Sequence, residues 1–180
     1  MQFTYNTVST IEPGTYVAQL TALNAYTGTR YQSEDIEPML QFLWEVQTSD
    51  GYMRITDLVR LPLARNTGLP FIADQSKLLN RVASLYGRPV TAEEVADLGL
   101  TIDLPDPYND PATLLALPHW SDRKADGFAP IAVKAFSLDG VSLLGRYLQV
   151  SVIAHKSGAM VVETTLPLPR GSGVINPNPF

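Results

Sequence analysis

Tyr52, Arg54 and Arg60 stand at even spacing in the run GYMRITDLVR, with Thr56 between them. Even spacing in an extended segment puts side chains on one face. Tyr26, Arg30 and Tyr31 lie upstream, Arg65 follows shortly after, and Lys156 comes much later. Phenol rings mixed with cations suit a non-covalent chemistry. Flat bases can stack on the rings while Lys and Arg neutralise phosphates, the two needs of an unspecific single-strand nucleic-acid site. Tyrosines and arginines also decorate ordinary exposed sheet faces, so the set is a candidate site that needs a scaffold to give it meaning.

Side chains for covalent or metal chemistry are scarce. The chain has no Cys, which excludes disulfides, thiolate zinc sites and cysteine nucleophiles. Its two histidines are His119 and His155. Asp103, Asp106 and Asp110 precede His119, but they lack the alternating acids and the Gly of an EF-hand loop. A solvated acidic loop is expected there. His119-Trp120-Ser121-Asp122 holds the letters of a catalytic triad, yet adjacency is not triad geometry, and no G-x-S-x-G elbow occurs. No Gly-rich phosphate loop is present either. The expectation is a protein that is not an enzyme and takes no cofactor or metal.

The net charge of −5 argues against a nucleic-acid partner, but the charge is unevenly spread. Residues 49–90 carry six Lys and Arg against three Asp, whereas residues 91–130 carry two against eight acids. Hydrophobic residues make up 45% of the 180 positions, ample for one domain with a core. There is no apolar run of about 18 residues to span a bilayer. MQFTYNTVST has no basic region followed by an apolar stretch, so no secretory signal is expected. A cytoplasmic location, in the host if the chain is phage-encoded, fits these features.

The elements that must hold the candidate site centre on residues 40–61. Leu40, Phe42, Trp44 and Val46 alternate with Gln41, Leu43, Glu45 and Gln47, the pattern of a strand with one buried face, and Phe42 and Trp44 are assigned to the core. Ser49-Asp50-Gly51 is a turn triplet. Met53, Ile55, Val59 and Leu61 then give a second strand its apolar side, with Asp57 out of pattern. Before this hairpin, residues 14–26 form a strand whose register needs a bulge near Ala22. Residues 27–35 form a polar loop. After it, Asp74 or Ser76 caps a helix bearing the stripe Leu78, Leu79, Val82 and Leu85, which Gly87 terminates. Thr91 and Glu94 form a capping box for a shorter helix.

Residues 100–130 hold five prolines among acids and read as an extended insertion, with a helical turn at Asp110-Pro111. Residues 131–138 are ambiguous between strand and helix. Residues 147–155 and 159–166 form a last hairpin about Lys156-Ser157-Gly158. The expected organisation is a lead-in over 1–13, one domain over 14–168 with the insertion at about 100–130, and a flexible tail over 169–180. The chain is mainly β with one or two helices. Three strands, a helix and two strands is the order of an OB-fold, a five-stranded Greek-key barrel with the helix between strands three and four. In that fold the face of strands two and three and its flanking loops carry the ligand.

Several short motifs resemble a family. They are Gly14-x-Tyr16-x-Ala18-x-Leu20, Trp44-Glu45-Val46, Asp50-Gly51, Ser76-Lys77-Leu78 with Gly87, and Leu143-Leu144-Gly145-Arg146 before Val150 and Val152. Together they resemble phage-encoded OB-fold proteins of the single-stranded DNA-binding-like replication family, over roughly 14–90 and 138–168. Residues 100–130 fall outside that pattern. The resemblance implies non-sequence-specific single-stranded DNA binding in phage-type replication or recombination. The tail ends Asn178-Pro179-Phe180 and is similar to the terminus with which bacterial single-stranded DNA-binding proteins dock on replication proteins, although no run of acids precedes it. No membrane partner is expected, and a homo-oligomer is compatible with the sequence. A non-enzymatic structural or adaptor protein of a phage particle or replisome, using the barrel for protein contacts, is the alternative. A carbohydrate-binding barrel is a distant third.

Overall fold

The computed structural model describes residues 11–105 and 108–176. The lead-in to residue 10 and the tip Asn178-Pro179-Phe180 lie outside those residues. The chain is mainly β. Its elements run β1 (Gly14–Thr29), β2 (Ile36–Thr48), β3 (Gly51–Arg60), α1 (Lys77–Tyr86), α2 (Ala92–Ala96), β4 (Gly99–Ile102), two 3-10 turns (Pro111–Ala116 and Trp120–Lys124), β5 (Ile131–Leu138), β6 (Val141–Ser142), β7 (Tyr147–Ala154) and β8 (Met160–Leu166).

β1 is the shared strand. From Ala18 to Thr29 one edge pairs with β2, which pairs in turn with β3. On the other edge the first half of β1 pairs with β7, and Asn24 and Ala25 pair with β5. β4 and β6 extend from β5, and β8 pairs with β7. All of these ladders are antiparallel. The expected bulge is present, since register shifts between Leu20 and Ala22. It lets Leu20 and Leu23 both point inward, where each is buried. Phe42 and Trp44 lie fully buried with their rings stacked.

β8 comes back within 8 Å of β3, but no ladder joins them among the described residues. α1 fills that gap. Its N-cap is Ser76, whose side chain accepts from the Leu79 N–H. Asn80 replaces a strand partner for β8: its side-chain oxygen accepts from the Thr165 N–H at 3.0 Å, and its amide donates to the Thr165 carbonyl at 3.0 Å. Next to it, Arg81 reaches Asp57 of β3 at 2.7 Å and the Val162 carbonyl of β8 at 3.3 Å. Asp57, out of step with its strand, is thus the anion that holds a buried guanidinium.

Gly87 ends α1 at φ +97°, and a Cβ there would meet no atom within 4 Å. Gly87→Ala therefore carries backbone strain alone, and a loss of ~1–2 kcal/mol is expected in urea unfolding. An unchanged midpoint would show that the helix end needs no left-handed residue.

The structure departs from the sequence reading in three places. Among the described residues eight strands occur rather than five, because residues 99–142 supply β4, β5 and β6. The segment read as a surface insertion also enters the core: Leu114 and Leu117 are buried. Their spacing of three matches the 3.0-residue period of a 3-10 turn, which aims both the same way. Finally, the tail is tied down at Asn176, whose side chain donates to the Tyr147 carbonyl and accepts from its N–H, at 2.6 and 2.8 Å. No helix among the described residues is long and apolar enough to cross a membrane.

Candidate nucleic-acid interface

The outward face of β2 and β3 is set by register. Tyr52 lies opposite Gln47, Arg54 opposite Glu45, Thr56 opposite Leu43, Leu58 opposite Gln41 and Arg60 opposite Met39. Because Trp44, Val46, Ile55 and Val59 point inward and are buried, the alternate row takes the opposite face, where Tyr52, Arg54, Thr56 and Arg60 are exposed and Met39 is covered. Tyr52 is 70% exposed, so its ring is open to a ligand. Arg54 is exposed beside it and makes no ion pair within 4.0 Å among the described residues.

The candidate residues fall into two groups at opposite ends of the sheet. β7 runs antiparallel to β1 with Val152 opposite Gly14, so the β7–β8 turn with Lys156 lies where β1 begins. Ala18 of β1 lies opposite Val46 of β2, so the β2–β3 turn is at that end too. Tyr52, Arg54 and Lys156 therefore share one end. Arg30, Tyr31 and Arg60 share the other, on the order of 26 Å along β3 from Tyr52 at ~3.3 Å per residue. Tyr31 is 83% exposed there. Arg65 is exposed in the loop that leaves β3 at that same end.

Glu37 organises the second group. Its carboxylate is buried and lies 3.8 Å from Arg30 and 4.0 Å from Arg60. One acid shared by two cations holds both guanidinium groups in place, with the exposed acids Glu34 and Asp35 in the adjoining loop. Arg60 also donates to the Thr29 carbonyl at 2.8 Å, which clips β3 to the end of β1.

Tyr26 does not belong to the exposed set. It is buried to 4% exposure, with the Trp120 ring edge-on at 5.0 Å and the Phe128 ring stacked at 6.0 Å. The cause is the segment after Leu117, which runs beside β1. Thr27 donates from its N–H to the Pro118 carbonyl and forms a parallel bridge with His119. Both ring nitrogens of His119 are engaged, Nε2 with Thr29 at 3.0 Å and Nδ1 with Ser121 at 2.6 Å. The letters of a triad thus pin a loop to a strand. Burial pushes the Tyr26 phenol above its ordinary range, although the Arg123 guanidinium pulls it down.

Trp120, Arg123 and Lys77 are not among the binding residues read from the sequence, and each lies near this face. Arg123 sits over the Trp120 ring at 4.4 Å. Their spacing of three within a 3-10 turn was the available signal, because that period stacks one side chain on the other. Among the described residues no three His, Asp or Glu gather as metal ligands do. Comparison of the chain with protein-family models, curated proteins and solved structures finds no match.

Proposed function

We propose that the chain binds single-stranded DNA without sequence preference, through the outer face of β2 and β3, in phage-type replication or recombination. The observation that carries this reading is the pairing of an open Tyr52 ring with the exposed Arg54 on one sheet face. The strand connectivity supports an OB-type barrel beneath it. β1, β2 and β3 are followed by α1, then β7 returns beside β1 and β8 beside β3. In such a barrel β4, β5 and β6 are additions off the far half of β1. The phage context rests on the sequence resemblance.

Tyr52→Ala should weaken binding to a labelled ~30-nucleotide oligo-dT by ~1–3 kcal/mol, the usual value of one stacked base, with the fold intact. Arg54→Ala should lower the slope of log K against log salt by about one. Both are read by fluorescence anisotropy. Unchanged affinity in two folded variants would remove this face from the site.

A second reading is an adaptor for protein contacts. It is favoured by the net charge of −5 and by the exposed apolar side chains Phe71, Leu115 and Leu166. It predicts no oligonucleotide binding at any salt concentration.

A further inference from the structure

The outer face of β2 and β3 does not stop at Arg60. Beyond it, the loop after β3, the start of α1 and Trp120 come together. Between them lies a groove of about 490 Å³ lined by Met39, Leu58, Arg60, Gln75, Lys77 and Trp120, among others. That volume is within the ~300–1,000 Å³ common for small-ligand sites.

Its chemistry is sorted by region. Leu58 is a half-buried outward position on β3 and contributes apolar surface, with the buried Met39 of β2 beneath the groove. Trp120 adds a large aromatic ring. Arg60 and Lys77 bring two cations, and among the described residues no carboxylate lines the groove. The acid that pairs with Arg60 is Glu37, at 4.0 Å, and it is shared with Arg30. Arg123, over the Trp120 ring, adds a further cation beside it. A flat apolar surface beside cations matches a flat base joined to a phosphate.

We infer that this groove is a nucleotide subsite, taking one base of a single strand against Trp120 and Leu58 with its phosphate on Lys77 and Arg60. The inference rests on the single-strand reading of the adjoining face and extends it. A strand crossing from Tyr52 along β3 ends in a built pocket rather than on open sheet. Trp120 and Lys77 are then binding residues, and the 3-10 turn after His119 is a wall of the site.

The chain supplies its own probe. It has two tryptophans, and Trp44 is fully buried in the core, so ligand-induced changes in indole emission report on Trp120. The full chain is titrated with ~30-nucleotide oligo-dT, following tryptophan emission, and affinity is measured separately by anisotropy of a labelled oligo-dT. Oligo-dT should quench the emission of the native protein. Trp120→Phe should lose the quench and weaken binding severalfold, because the smaller ring offers the base less stacking surface. Lys77→Ala, an exposed position, should weaken binding severalfold and lower the salt slope by about one. If labelled oligo-dT binds but neither tryptophan emission nor the Lys77→Ala affinity responds, the groove has another occupant and the inference is overturned while the face reading stands. If oligo-dT does not bind at all, both fall.

Discussion

Arg81→Ala should destabilise the protein by ~3–5 kcal/mol, the usual result of removing one partner from a buried ion pair. The side chains of Arg81 and Asp57 are 1% and 4% exposed. The guanidinium meets the carboxylate twice, at 2.7 and 3.3 Å, and also donates to Asn80 and to the Val162 carbonyl. Alanine would leave the Asp57 charge in the core with its principal partner gone. It would also free the join between β3 and β8, which no ladder supports among the described residues. For a domain of ordinary stability, ~5–15 kcal/mol, the loss is severe. The double variant Arg81→Met with Asp57→Leu should recover most of it, because the destabilising element is the unpaired charge and not the missing bond. Urea unfolding of both variants checks this. A single variant that loses less than ~1 kcal/mol would show that water or a rearranged partner already serves Asp57.

The second large effect concerns residues 103–128. Composition alone makes this segment look removable, since prolines and acids interrupt every apolar period. The structure predicts the opposite. Leu114 and Leu117 are buried, and the Trp120 and Phe128 rings cover Tyr26. Leu117→Ala should cost ~2–5 kcal/mol, the range for a buried leucine whose cavity does not collapse. Replacing 103–128 by a Gly/Ser linker removes both leucines and uncovers Tyr26, so the product should be unfolded or aggregated at room temperature. A soluble linker variant with the native urea midpoint would return the segment to the surface.

Local rules made much of the scaffold legible. The hairpin follows from the alternation of Phe42, Trp44 and Val46 with Leu43, Glu45 and Gln47. The caps of α1 follow from Ser76 and Gly87, and the bulge follows from the need to bury both Leu20 and Leu23. What stayed hidden is what depends on contacts distant in sequence. Tyr26 has the spacing of an outward residue once the bulge is counted, and nothing nearby says that Trp120 will cover it. Residues 99–102 are too short to show a period, and they become β4 because β5 offers an edge. The out-of-step Asp57 could be seen but not explained until α1 brought Arg81 to it. The candidate site was legible as residue types only. Its division into two ends follows from strand register, and the groove between Arg60, Lys77 and Trp120 comes from three separated segments.

The central claim, single-strand binding on the face that carries Tyr52 and Arg54, is tested most directly by titrating the native protein with labelled ~30-nucleotide oligo-dT from low to moderate salt. Binding should be tight at low salt, with log K falling linearly against log salt at ~0.7 per phosphate contact for a single strand. Tyr52→Ala should shift the line downward without tilting it, because a stacked ring releases no counterions. A folded protein that leaves the anisotropy of the oligonucleotide unchanged at the lowest salt would contradict the claim.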